Sequence, residues 1–295
     1  DQDSDGYVDG PASSGISPTI WISRIKSSGI NVFSGKTEAD LANRYFEKIH
    51  RFRTGELWLP DRALLWADDD WNNYDPASTF GTCYPDATRV TSAMPGITTD
   101  KTDWTSRWRQ PYETEFFMCH SSETLHNPGP YVYSADMAAA DVCRLFWNCW
   151  NCSSAKYTAT DHIAGVRLYT PRYGLTAVGS TKTGSMYGGV TAFYNYLGEG
   201  NSFGEAFQRW FATYYYDLLW HRGMVLLGDG TLRLGRFVHT INPTNGLPTI
   251  SAIPNLTNGE DLVSALVTFT VGDDFTAPSN LIVWAETTNR TVLPA

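Results

Sequence analysis

The sequence predicts an α/β fold in which a parallel β-sheet is covered by helices on both faces. Three observations predict it. Short, continuously apolar segments recur through residues 1–237, stretches of helical period separate them, and several end abruptly in polar residues with reactive side chains. Strands buried on both faces read as uninterrupted apolar runs. Sheets of that kind gather ligands and catalytic groups just beyond the carboxyl ends of their strands.

Pro18 to Lys26 reads as the first strand, buried through Ile20, Trp21, Ile22 and Ile25. Thr37-Glu38-Ala39-Asp40 is a capping box; it opens an amphipathic helix carrying Leu41, Tyr45, Phe46 and Ile49 to about Thr54, before Gly55. Arg62 to Ala67 is a second strand ending in Asp68-Asp69-Asp70, and a less regular stretch with Pro76, Pro85 and Pro95 follows. Glu115 to Cys119 is the third strand, closed by His120-Ser121-Ser122; Leu145 to Cys149 is the fourth, leading into Asn151-Cys152-Ser153-Ser154. Leu175 to Val178 is the fifth, followed by Gly179-Ser180-Thr181-Lys182. Two helices come next, Met186 to Leu197 and Ser202 to about Leu219, the second with Ser202 as N-cap. Met224 to Leu227 is a sixth strand, ending at Gly228-Asp229-Gly230. From about Val238 the chain becomes Pro-, Asn- and Thr-rich, with strands at Leu262 to Val271 and Leu281 to Ala285. Residues 1–237 are therefore expected to form the α/β domain, and residues 238–295 a β-rich C-terminal module.

Composition narrows the function classes. Hydrophobic residues at 42% and charged residues at 18% describe a packed globular protein and not a disordered one. A net charge of −9, with no run of Lys or Arg beyond two, excludes a nucleic-acid face, which needs a basic stripe. No apolar run reaches the ~18 residues that a membrane span requires. The 14% aromatic share suits extracellular proteins that handle polymers. The chain starts at Asp1 with no signal-peptide pattern, as expected of a processed product. Asn151, Asn255 and Asn289 head glycan-acceptor patterns, the first of them coincidental because it falls among candidate site residues.

The opening Asp1-Gln2-Asp3-Ser4-Asp5-Gly6-Tyr7-Val8-Asp9 alternates side-chain oxygens with a glycine at the turn. A hard cation needs six to eight oxygens from a tightly curled segment, so Asp1, Asp3, Asp5 and Asp9 are candidate calcium ligands of the shorter extracellular kind. A solvated acidic linker is the plainer alternative. Asp68-Asp69-Asp70 is open to three readings: a solvated turn, a calcium-binding run, or an acid that orients a histidine. Five cysteines, Cys83, Cys119, Cys143, Cys149 and Cys152, are too few for a disulfide scaffold, and their odd number leaves one thiol free. Cys119 and Cys143 read as core, and Cys149 with Cys152 forms a lone C-x-x-C. Trp210, Phe211, Tyr214, Tyr215, Tyr216 and Trp220 read as helix core, while His162, His221 and His239 have no partner spacing.

Attack on a carbonyl by cysteine needs a thiolate, a base to form it and donors for the oxyanion. A histidine at one strand end and a cysteine at the next can supply the first two, and their backbone N–H groups the third. Here the residues resemble a family. Cys119-His120-Ser121-Ser122-Glu123-Thr124 is similar to the gingipains' Gly-His-Gly-Ser-Glu-Thr segment, and Cys152-Ser153-Ser154-Ala155-Lys156-Tyr157 looks like the segment following their nucleophile. Gly179 to Met186, Phe203-Gly204-Glu205-Ala206-Phe207, Gly228-Asp229-Gly230-Thr231-Leu232 and Pro18 to Ile25 add weaker matches in the right order, so the resemblance spans roughly residues 1–235.

The resemblance implies a caspase-like fold: a mostly parallel sheet sandwiched by helices, with a C-terminal β-rich segment. It implies His120 as base, Cys152 as nucleophile, and Asp70, less surely Asp69, as the acid orienting His120. The N–H groups of Ser121 and Cys152 would form the oxyanion hole, and Lys182 is a candidate substrate contact. Two departures stand out: Ser121 replaces the family's glycine, and Cys149 is a rival nucleophile. The expectation is a secreted or cell-surface cysteine endopeptidase acting on protein or peptide substrates, with structural calcium. The alternatives are an inactive surface or filament protein that self-assembles on the same fold, and more distantly a C-x-x-C redox protein.

Overall fold

The structure is a computed structural model that describes residues 18–73, 75–184, 189–213, 218–239, 249–253 and 268–272. The chain divides into two compact units, residues 1–238 and 239–295. Along the first unit come α1 (Glu38–Arg53), β1 (Ala63–Ala67), α2 (Pro76–Phe80), β2 (Thr88–Thr91), α3 (Lys101–Ser106) and β3 (Tyr112–Met118). A small hairpin follows, β4 (Leu125–His126) with β5 (Val132–Tyr133), then α4 (Ser134–Ala140), β6 (Arg144–Cys149), α5 (Ile163–Leu168) and β7 (Thr176–Ser180). The unit closes with α6 (Val190–Gly198), α7 (Phe203–Thr213), α8 (Leu218–Arg222), β8 (Met224–Gly228) and α9 (Gly235–Val238).

One six-stranded sheet has the order β2-β1-β3-β6-β7-β8. Its pairings are parallel except the last, where β8 runs antiparallel to β7. Strands β1, β3, β6 and β7 are buried throughout, which explains their unbroken apolar reading. Both faces are covered by helices. On one, Trp104 of α3 stacks on Phe117 with ring centroids 3.7 Å apart, and the Arg167 guanidinium of α5 lies 4.0 Å over the Trp147 ring. On the other, Phe203 of α7 meets Phe146 at 4.5 Å, and Trp210 meets Trp150 at 4.8 Å.

Local chemistry sets the elements. Thr37 caps α1 by accepting from the Asp40 N–H while the Asp40 carboxylate accepts from the Thr37 N–H, the reciprocal box expected. Leu41, Tyr45, Ile49 and Phe52 form the buried stripe of α1, and Lys48 beside them donates to the carbonyls of Leu168, Thr170, Tyr173 and Gly174. Phe46, expected on that apolar face, is exposed, because one residue on from Tyr45 turns it about 100° away. Ser202 and Glu205 form a second reciprocal cap at the start of α7.

Two expectations are corrected. Pro18 to Lys26 is not a buried strand: Ile20 and Ile22 are 72% and 64% exposed, Ile25 is exposed too, and its one sheet contact is a single bridge from Arg24 to Leu227. The segment runs along the outer edge of β8, and what fixes it is Trp21, whose ring sits where any side chain on Gly204 or Gly230 would be. The irregular stretch before Glu115 contains β2, an edge strand. Of the helix expected from Ser202 to Leu219, α7 covers 203–213 and α8 begins at 218; residues 214–217 lie outside the described residues. In the second unit β9 (Thr249–Ile250) pairs antiparallel with β10 (Val271–Gly272). The strand expected at Leu281 to Ala285 lies outside the described residues, as does most of Leu262 to Val271.

Candidate active site

Parallel pairing brings the carboxyl ends of β1, β3, β6 and β7 to one rim. The ladder registers say how closely. Phe116 pairs with Asn148, so carrying that offset four residues on sets His120 opposite Cys152. Cys149 pairs with Gly179, and three residues on the same offset sets Cys152 opposite Lys182. Ala67 pairs with Met118, which brings the aspartate run beside His120.

The aspartate run is a 3-10 turn over Asp69–Trp71, capped by the Asp68 carboxylate accepting from the Asp69 N–H at 2.8 Å. Asp68 extends the β1–β3 ladder by one bond, its N–H donating to the Met118 carbonyl at 2.9 Å. Burial foremost pushes the Asp68 carboxyl up to about 6. The turn delivers Asp70 to the imidazole: His120 Nε2 and Asp70 Oδ2 are 3.0 Å apart. A carboxylate only accepts, so Nε2 carries the proton and Nδ1 keeps its lone pair for another donor. The Trp71 ring stands edge-on to the imidazole at 4.9 Å. Of the three readings of the aspartates, the structure puts the third in contact with His120.

Cys152 sits in a turn pinned to both neighbouring strand ends. The Ser121 hydroxyl donates to the Cys152 carbonyl at 2.6 Å, the Ser153 N–H to the Lys182 carbonyl at 3.0 Å, and the Ala155 N–H to the Ser180 carbonyl at 2.9 Å. Ser153 takes a left-handed conformation at φ 55°, uncommon for a residue with a side chain. Strained backbone of that kind clusters at functional sites. Cys152 is partly exposed, and its sulfur lies 4.0 Å from the Gly184 carbonyl. Among the described residues, neither the Ser121 nor the Cys152 N–H donates a hydrogen bond to the main chain.

Cys149 is no rival to Cys152. It is fully buried, burial pushes its thiol up, and its sulfur accepts from Arg167 Nη1 at 3.0 Å. All five cysteines are free, so no Cys149–Cys152 cross-link is present. Cys119 and Cys143 are buried with raised thiols, as core cysteines should be, and burial pushes Cys83 up to about 12. Lys182 is exposed at the rim, and its carbonyl anchors the Cys152 turn. The aromatic residues Trp210 and Trp220 are buried core, whereas Tyr214, Tyr215 and Tyr216 lie outside the described residues. So do Asp1, Asp3, Asp5 and Asp9, and no other cluster able to hold a metal occurs among the described residues.

Sequence reasoning missed Asn151. It is fully buried, and its amide donates to the carbonyls of Phe117 at 2.7 Å and Cys119 at 3.3 Å, so in the folded chain it is no glycan acceptor. An asparagine just beyond a strand end, next to a candidate nucleophile, was the signal available. No described helix is long and apolar enough to cross a membrane. The chain matches no family model and no curated protein.

Proposed function

We propose that the chain is a secreted or cell-surface cysteine endopeptidase of the gingipain-like, caspase-fold kind. The observation that supports the reading is that adjacent parallel strands deliver a carboxylate-bound imidazole and a partly exposed thiol to one rim of the sheet. His120 Nδ1 takes the proton of Cys152 and the thiolate sulfur bonds to the scissile carbonyl carbon, sending the π pair onto oxygen. The N–H groups of Ser121 and Cys152 receive that oxyanion. Collapse breaks the C–N bond, the imidazolium returns its proton to the departing amine, and water then releases the acyl group with His120 again as base. Asp70 keeps the imidazole in the tautomer this needs and steadies its charged form.

The test is labelling by a thiol-reactive peptide electrophile. Cys152→Ala should lose on the order of 10³-fold or more in labelling rate. Labelling of the variant at the parent rate would remove Cys152 as nucleophile. A flat activity profile across a peptide library, with ordered polymers under the microscope, would favour the inactive filament protein instead. Calcium at Asp1, Asp3, Asp5 and Asp9 belongs to the same reading as a stabilising ion outside the chemistry. Chelation should then lower the melting temperature, and an unchanged Tm would remove calcium from the account.

A further inference from the structure

The β3–β6 ladder ends before the reactive residues begin: Phe116 and Asn148 are its last pair, four positions short of His120 and Cys152. Two strand ends past their last ladder bond are free to splay, and a thiol–imidazole pair is sensitive to shifts of about 1 Å. Something must hold the ends together. Two side chains do so, one on either side of the Cys152 α-carbon.

Asn151 replaces the missing ladder. Its Nδ2 group donates to two carbonyls at the end of β3, Phe117 within the strand at 2.7 Å and Cys119 just beyond it at 3.3 Å, with no exposed surface. Its own carbonyl accepts from the buried Ser154 hydroxyl at 3.1 Å, which also ties the Cys149 carbonyl at 2.7 Å. From the other strand, the Ser121 hydroxyl reaches the Cys152 carbonyl at 2.6 Å. Directly after these two ties comes the left-handed Ser153. A third link, Lys156 to Glu123 at 2.7 Å, is largely exposed and weak by comparison.

We propose that Asn151 and Ser121 are positioning residues: a two-point cross-strand latch that fixes the Cys152 thiol against the His120 imidazole. The proposal rests on the peptidase reading and deepens it. Ser121, which departs from the gingipain glycine, thereby acquires a task of its own in this chain.

The test follows alkylation of Cys152 by iodoacetamide against pH, with Tm measured on the same samples. The other four cysteines are buried, so the label reports on Cys152, with Cys152→Ala as blank. An imidazole held in register with the thiol supports alkylation at pH 6, where an isolated cysteine reacts slowly. Asn151→Ala and Ser121→Ala should each slow alkylation at pH 6 by about ten-fold while leaving the rate at pH 9 near that of the parent. Ser121→Thr, which keeps the hydroxyl, should restore the parent profile. Ser121 is only half-buried, so its variants remain informative if Asn151→Ala folds poorly. A fall in Tm with the alkylation profile unmoved would overturn the latch and leave the peptidase reading standing. A parent protein alkylated at pH 6 no faster than a free cysteine would instead overturn that reading, and the latch with it.

Discussion

Two acid–base pairs of similar length sit at different depths in this sheet. Glu115 and Arg144, on adjacent strands, meet at 2.7 Å with both side chains fully buried. Asp70 and His120, beyond the strand ends, meet at 3.0 Å with side chains 61% and 60% exposed. The buried pair is embedded in a network: Glu115 also accepts from the Trp104 indole, and Arg144 also donates to the carbonyls of Gln110, Cys143 and Arg107. Every donor there has its direction fixed by the fold. Water reaches the rim pair, so it adds little to stability, and it is open to exchange protons with solvent. Depth separates a sealed structural pair from an accessible one.

The comparison can be broken most forcefully from inside. Glu115→Ala leaves the Arg144 cation without its counter-charge in the core, and should cost roughly 3–5 kcal/mol in urea unfolding. A loss below about 1 kcal/mol would mean that water or another anion reaches Arg144.

Glu113, two residues away, sharpens the same point. Its hydrogen-bond partners are uncharged, the Tyr84 hydroxyl at 2.6 Å and the Gly235 N–H at 2.5 Å. Burial, the largest influence, pushes its carboxyl up to about 7 against those donors. A carboxyl raised in the folded state above its unfolded value of about 4.3 stabilises most below that value, and the contribution is lost as pH rises through 7. Glu113→Gln cannot ionise. Relative to the parent it should gain on the order of 3 kcal/mol between pH 4.5 and 7.5. Parallel stability curves for the two proteins would show that Glu113 ionises as freely inside as outside.

The rim pair should show the opposite pattern. Asp70→Asn is expected to change unfolding free energy by less than about 1 kcal/mol while slowing Cys152 acylation by about 10- to 100-fold, because the amide no longer fixes the imidazole tautomer. A variant that melts early but acylates at the parent rate would invert the distinction drawn between the two pairs.

What the sequence discloses follows from the same contrast. Strands β1, β3, β6 and β7 are legible because double-sided burial demands continuous apolar residues. The candidate site residues are legible because parallel strands all deliver their next residues to one rim. Strand β2, Thr-Arg-Val-Thr at the sheet edge, carries no such run and is invisible. Pro18 to Lys26 misleads in the other direction: apolar spacing gives no direction of burial, and Trp21 with the Arg24 bridge anchors a segment whose isoleucines are exposed. Glu113 and Glu115 are hidden for a third reason. Their partners come from residues far along the chain, Gly235 for one and Arg144 for the other, and no local pattern encodes those meetings. Asn151 is concealed in the same way by carbonyls of a different strand.

The reversed course of β8 has a consequence for Asp229. Gly228 pairs with Thr176, at the amino end of β7, so the residues that follow β8 emerge at the far side of the sheet from Cys152. There the Tyr45 hydroxyl accepts from the Asp229 N–H at 2.6 Å and Arg53 holds its carboxylate at 2.7 Å. An acid that trails its strand by one residue, closer even than Asp70 with its three, thus becomes a fastener for α1, because chain direction decides which pole of the sheet each aspartate reaches.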